Sequence, residues 1–268
     1  ILKKAVIHAS NREIEDSFAT LSTMNPEQFV KRQSGSDPAM KTSVITINCM
    51  DTKTKKNDYN RIYQAIATDY LTRIPEHQEK TLVIAHAHED RKFINELIRK
   101  GLQEQGRVAR EDTQCNRLPA KSMTKAELMH AKNYSRGDVV RFDASYSVAR
   151  KGDYFSVEGI SPDSNHLHCT SATGEKYVIN PAALALKARM SVYTVEEAAL
   201  AIGDKIRLRL TDKARGHIAN KEYTIKRIEA GRAHLQSSDK TNELELQLND
   251  KKDAHWDYAY SRTAFGAQ

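Results

Sequence analysis

The chain has 268 residues, 39% hydrophobic and 29% charged, with a net charge of +7 at pH 7. That balance excludes a disordered polymer, and no apolar run reaches the roughly 20 residues of a membrane helix. Three dispersed cysteines, Cys49, Cys115 and Cys169, form no CxxC pair. They argue against a disulfide framework or zinc knuckle and fit a reducing cytosol, while the basic excess suits a polyanionic partner.

The opening ILKKAVIHAS carries no secretory pattern and leads into a helical one. Ile14, Phe18 and Leu21 share a helical face over Asn11 to Leu21. After the polar KRQSGSDP, the run TSVITINC from Thr42 to Cys49 predicts a buried strand with Cys49 as a small core residue. Tyr59, Ile62, Tyr63, Ile66 and Tyr70 predict a helix over Asn57 to Ile74, with Pro75 beyond it. TLVIAHA, Thr81 to Ala87, reads as a second buried strand. Glu89 to Gly106 reads as a helix with Phe93, Leu97, Ile98 and Leu102 on one face and Gly106 as its C-cap. This alternation predicts a parallel sheet covered by helices.

The character changes near Arg107. Ser122 to His130 predicts a short helix opened by a Thr124 to Glu127 capping box. DVVRFD, DYFSVEGI, HLHCTSA and EKYVIN then read as short strands between turns. A helical interlude, VEEAALAI, separates them from DKIRLRL, EYTIKRIE, RAHLQSS and LELQLN. Gly137-Asp138 and Gly203-Asp204 each open a strand, and Tyr154 and Tyr223 follow at similar offsets. The pattern predicts a duplicated unit of four or five strands, the size of a small closed barrel.

No phosphate loop, GxGxxG, HExxH or GxSxG motif is present. The chain is therefore expected not to catalyse on its own, since nothing in it cradles a triphosphate. His86 and His88 alternate at a strand end without a third metal ligand and fit polar or nucleic-acid contacts; no metal is expected. In DKIRLRLTDKARGH, Ile206, Leu208 and Leu210 point one way and Lys205, Arg207 and Arg209 the other. Lys213, Arg215 and His217 follow in the loop. This basic face suits phosphates, an acidic partner protein, or solvent alone. Tyr146, Tyr154 and Tyr223 suit either the core or base stacking.

Three stretches in order resemble one family: TLVIAHAHEDRKFINELIRKGLQEQGRV, AIGDKIRLRLTDKARGHIANKEYTIKRI and HWDYAYSRTAFGAQ. They resemble the helicase part of TraI-type conjugative relaxases, in the RecD-like branch of superfamily 1. The resemblance implies an α/β plus all-β fold. Residues 1–106 would be part of the second RecA-like domain, residues 107–255 an insertion of two small antiparallel barrel-like units, and residues 256–268 the return strand. Tyr258, Ala259, Ser261, Thr263 and Gln268 match that return, whereas Phe265 stands where many relatives have His. It implies single-stranded DNA contacts at His86, His88, Arg91, Arg207, Arg209, Lys213, Arg215, Ser261, Thr263 and Gln268. It also implies an internal translocation signal read by a type IV secretion coupling protein, so a cytoplasmic donor-cell protein that passes to the recipient. No cofactor is expected in this stretch; ATP and Mg would belong to the parent. With Ile1 in place of a start methionine and an end on YAYSRTAFGAQ, the chain is expected to be a piece of a longer one. The alternative is an unrelated basic barrel that binds nucleic acid, of the RNA or ribosome kind.

Overall fold

The computed structural model describes Asn11 and residues 22–24, 43–50, 57–146, 149–187 and 190–263. The chain divides into two units, Ile1–Leu102 with Ser261–Gln268, and Gln103–Tyr260. The helix expected over Asn11 to Leu21 lies almost wholly outside the described residues.

In the first unit, β1 (Ser22–Met24) pairs parallel with β2 (Ser43–Ile45). The strand expected to run to Cys49 stops at Ile45, and Cys49 is half-buried rather than core. The helix expected next is α1 (Asn60–Thr72), followed by a short α2 (Pro75–Glu79). Pro75 starts α2 rather than merely ending α1, because proline's fixed φ and missing N–H suit a first helical turn. The buried Gln78 amide ties the two helices by donating to the carbonyls of Tyr70 (2.9 Å) and Arg73 (3.0 Å). β3 (Val83–Ala85) leads into α3 (His88–Glu104), whose inner face carries Ile94, Ile98 and Leu102. Only one side of β3 is covered: Val83 and Ala85 are buried, but Ile84 is 52% exposed, against the expected fully buried strand.

The second unit begins with β4 (Thr113–Arg117) and α4 (Lys125–Leu128). The expected capping box closes α4: Glu127 N–H donates to Thr124 Oγ1 (3.2 Å) and Thr124 N–H to Glu127 Oε2 (2.7 Å). Next come β5 (Val139–Phe142), β6 (Tyr154–Ser161), β7 (His166–Ser171), β8 (Lys176–Ile179), α5 (Pro181–Lys187) and β9 (Met190–Tyr193). The expected helical interlude is instead a strand, β10 (Glu196–Leu200), paired antiparallel with β4. Its composition favours a helix, but ladder bonds to β4 and burial of Leu200 outweigh a propensity of tenths of a kcal/mol per residue. Then follow β11 (Lys205–Leu208), β12 (Glu222–Glu229), β13 (Arg232–Ser237), β14 (Glu243–Gln247) and β15 (Trp256–Tyr258). Finally β16 (Ser261–Thr263) returns to the first unit and pairs parallel with β3. Among the described residues, no helix is long and apolar enough to cross a membrane.

The two five-stranded sheets repeat one another. Their orders are β8-β7-β6-β5-β9 and β14-β13-β12-β11-β15, antiparallel at every pairing. The same bonds open each. Gly137 N–H donates to the Val157 carbonyl and Gly203 N–H to that of Ile225, both at 2.8 Å. The Asp138 and Asp204 carboxylates accept from Ser135 N–H (2.8 Å) and Ala201 N–H (2.7 Å). Each second strand has one register irregularity, at Val157/Gly159 and Ile225/Arg227. The pairings Val140 with Phe155 and Ile206 with Tyr223 make Phe155, not Tyr154, the counterpart of Tyr223. One residue of slip matters, because it moves a side chain to the other face of the sheet. Both counterparts sit in a core, Phe155 with Phe142 and Leu167, Tyr223 with Ile206 and Leu246. In neither sheet do the outer strands pair with one another, so both sheets are open rather than closed barrels.

Candidate nucleic-acid interface

β11 is an inner strand of its sheet, between β12 and the edge strand β15. Its alternation holds for Ile206 and Leu208, which are buried in the core, but Arg207 is buried as well, 2% exposed. It stands opposite Glu222 on β12 and Asp257 on β15. Asp257 in turn accepts a 2.7 Å hydrogen bond from Arg117, which also binds Glu196 at 2.7 Å. Burying a charge costs several kcal/mol unless oppositely charged groups surround it, and here they do. The repeat gives the same answer, because Arg207 corresponds to Arg141 on β5, which is ion-paired with Asp143 and lies over the Tyr154 ring. Arg207 is thus buried in the sheet and not turned to solvent on a basic face as its alternation in β11 predicted.

Beyond β11 the chain makes a tight loop. Asp212 and His217 bridge, with a single 3-10 turn over Lys213–Arg215 between them. Arg215 is tied to the buried carboxylate of Asp253, which also accepts from Gln247 N–H at 2.8 Å. His217 is buried 4.0 Å from the same carboxylate. Burial, with the Arg215 charge adding to it, holds the His217 pKa below its ordinary value, so His217 is neutral at pH 7. Arg209 and Lys213 are exposed and Lys205 is half-exposed. Arg209 touches Asn220 Oδ1 only at 3.5 Å, and its backbone N–H is anchored on the His255 carbonyl at 2.8 Å. The loop therefore offers two exposed cations, Arg209 and Lys213, and the start of β11 a third, half-exposed one, Lys205, instead of the five expected.

In the first unit, β3 and β16 run parallel with Ala85 beside Thr263, and α3 starts directly after β3. His86 and His88 are exposed at this strand-to-helix turn. Asp90 braces it, accepting from Ala87 N–H (3.2 Å) and from the Tyr63 hydroxyl (2.5 Å). That bond lowers the Asp90 pKa and pushes Tyr63 up to about 12. Arg91 is buried, 9% exposed, and its carbonyl accepts from Ser261 Oγ at 3.2 Å. Asn95 Oδ1 accepts from both Ser261 N–H and Ser261 Oγ at 2.8 Å. Ser261 is thus spent on fixing β16 against α3, and Thr263 is buried beside it. Of the ten candidate residues, His86, His88, Arg209 and Lys213 are exposed and Arg215 is partly so. Arg91, Arg207, Ser261 and Thr263 are buried, and Gln268 lies outside the described residues. Among the described residues no three His, Cys, Asp or Glu side chains converge on a metal position.

Asn95, Asp253 and Asp257 do much of the positioning, and sequence reasoning missed them. Asn95 had a signal, four residues after Arg91 on the same helix face; the two aspartates act across 38 and 140 residues and left none. The three tyrosines considered for base stacking are otherwise used: Tyr154 and Tyr223 are buried and Tyr146 packs on the first core.

No protein-family model matches the chain. Over 280 aligned residues, covering all of it, the chain is 26% identical to the multifunctional conjugation protein TraI of Escherichia coli. The same identity and coverage hold for the TraI of Escherichia coli strain K12. The chain spans 15% of the length of these relatives. Along its whole length the chain is similar to a segment of the multifunctional conjugation protein TraI.

Proposed function

We propose that this chain is an accessory segment of a conjugative relaxase/helicase. It contacts single-stranded DNA through the β11 loop and carries an internal translocation signal read by a type IV secretion coupling protein. The observation that carries the reading is the full-length similarity to TraI. The exposed Arg209 and Lys213 of the loop, with the half-exposed Lys205 at the start of β11, would supply the DNA-contacting chemistry. In this reading the Ile1–Leu102 unit with its β3–β16 return belongs to a RecA-like motor domain, and Gln103–Tyr260 is an insertion into it. ATP and Mg bind elsewhere in the parent, and this segment does no catalysis itself. The parent works in the donor cytoplasm and passes to the recipient.

Two experiments test the proposal. Fluorescence anisotropy with a labelled single-stranded oligonucleotide should show weak binding that falls with salt. Three phosphate contacts on a single strand give a slope of log K against log salt near −2, at about 0.7 per contact. A fusion of this chain to a reporter recombinase should be transferred to recipient cells by a functional secretion apparatus. Transfer no better than the unfused recombinase removes the signal half of the proposal.

A further inference from the structure

The two repeats end on equivalent outer strands, β8 and β14, and treat them differently. In an antiparallel pair, residues alternate between bonding the partner strand and turning their N–H and C=O away from it. At β14 the Ser237 N–H to Asn242 carbonyl bond sets the alternation, so Leu244 and Leu246 bond β13 while Glu243, Glu245 and Gln247 face outward. That edge is defended. Gln247 N–H is already taken by Asp253 Oδ2 (2.8 Å), Glu245 is ion-paired with Arg232 (3.0 Å), and two glutamates line it. Charges and occupied amides of this kind block strand addition.

At β8 the bond from Ser171 N–H to the Glu175 carbonyl (2.9 Å) directs Tyr177 and Ile179 to β7. Lys176 and Val178 then present their backbone N–H and C=O groups outward. Among the described residues no strand pairs with this side of β8. Val178 is 64% exposed, more than any other large hydrophobic side chain among them. The Glu175 carboxylate is held by the Tyr177 hydroxyl (2.7 Å), which leaves Lys176 as the charge of the edge. His168, opposite Val178 on β7, is engaged by Ser161 Oγ at 2.9 Å.

We propose that β8 is a strand-addition site for an extended segment of a protein partner. The segment runs antiparallel to β8 and bonds the outward groups of Lys176 and Val178. It places a β-branched side chain against Val178 and, two residues later, a carboxylate against Lys176. Charge complementarity selects such a partner over a second copy of this chain, which would bring a lysine and not a carboxylate to the edge. The site is independent of the β11 loop and of the DNA-contact reading.

Hydrogen exchange on the whole chain tests the site. The probe is a synthetic peptide carrying Val-x-Glu with threonine at its other positions, at millimolar concentration. Exchange of the Lys176 and Val178 amides should slow roughly tenfold at ten times the dissociation constant, with Glu243 and Glu245 unchanged. Val178→Lys should abolish the protection, and a peptide with glutamine in place of glutamate should weaken it. Val178→Pro should also abolish the slowing at the Lys176 amide without costing a ladder bond, since the Val178 N–H that it removes faces outward. No slowing at saturating peptide, equal slowing at both edges, or slowing that follows chain concentration without peptide would each overturn the proposal. The last outcome would mark the edge as a self-association surface.

Discussion

The repeats around β5–β9 and β11–β15 share strand order, Gly-Asp opening and core, yet they diverge wherever the chain leaves the sheet. Between the first two strands, the earlier repeat ties Arg141 and Ser191 to Asp143. The later one holds Arg209 and Lys213 out on a short loop. At the outer edge, the earlier repeat leaves Val178 bare and the later one occupies Gln247. The lesson is that the frame is conserved by packing and turn chemistry, whereas binding capacity is carried by loops and edges.

The largest expected effect comes from an ion-pair tie onto the later repeat. Arg117 joins β4 to Asp257 of β15 and to Glu196 of β10, in surroundings that bury most of its side chain. Arg117→Ala should destabilise the chain by about 3–5 kcal/mol, since it breaks a largely buried ion-pair cluster and leaves Asp257 with only the Arg207 charge opposite it. Denaturant unfolding checks this, and a loss under 1 kcal/mol would show that the later repeat stands without that tie.

Acid should act at the seam between the repeats. His255, just before β15, is buried; it exchanges a 2.8 Å hydrogen bond with the Tyr154 hydroxyl of β6 and meets the Tyr193 ring of β9 edge-on at 4.5 Å. Burial, with the Arg141 charge adding to it, pulls its pKa from 6.5 down to about 4. The unfolded chain therefore binds this proton more readily than the folded one. Stability is full above about pH 6.5 and falls on acidification to about pH 4, by roughly 3 kcal/mol from this residue. His255→Gln should flatten that part of the stability profile; an unchanged slope would place the acid sensitivity elsewhere, His217 being the first suspect.

A smaller effect separates the two Gly-Asp turns. Gly137 and Gly203 have φ of 92° and 94°, values that any side chain disfavours. A Cβ on Gly137 meets nothing within 4 Å, whereas one on Gly203 lies 2.6 Å from the Arg107 carbonyl oxygen. Gly137→Ala should cost about 1 kcal/mol and Gly203→Ala about 3, since a backbone clash adds to the strain. Equal costs would mean that Arg107 gives way.

Much of the frame was legible in the residues. The i, i+3, i+4 spacing found α1 and α3, the Thr124 to Glu127 pattern found the cap of α4, and alternation found most strands of both repeats. β10 was not legible, because Glu-Glu-Ala-Ala-Leu is helical by composition and becomes a strand only by meeting β4. The burial of Arg207 was hidden for a related reason. Alternation within β11 places it opposite the core, and only Asp257, far along the chain, shows why that side is closed. Ser261 resembled a ligand contact, but Asn95 claims its hydroxyl. Local pattern thus located the basic loop, and long-range pairing decided which of its cations are accessible.

The most direct test of the central claim compares the salt dependence of single-stranded DNA binding in the unaltered chain and in Arg209→Ala/Lys213→Ala. The account predicts a slope near −2 that shrinks by about 1.4 when both cations are removed, with Arg141→Lys leaving it unchanged. A slope that survives the double substitution, or binding without salt dependence, would contradict it.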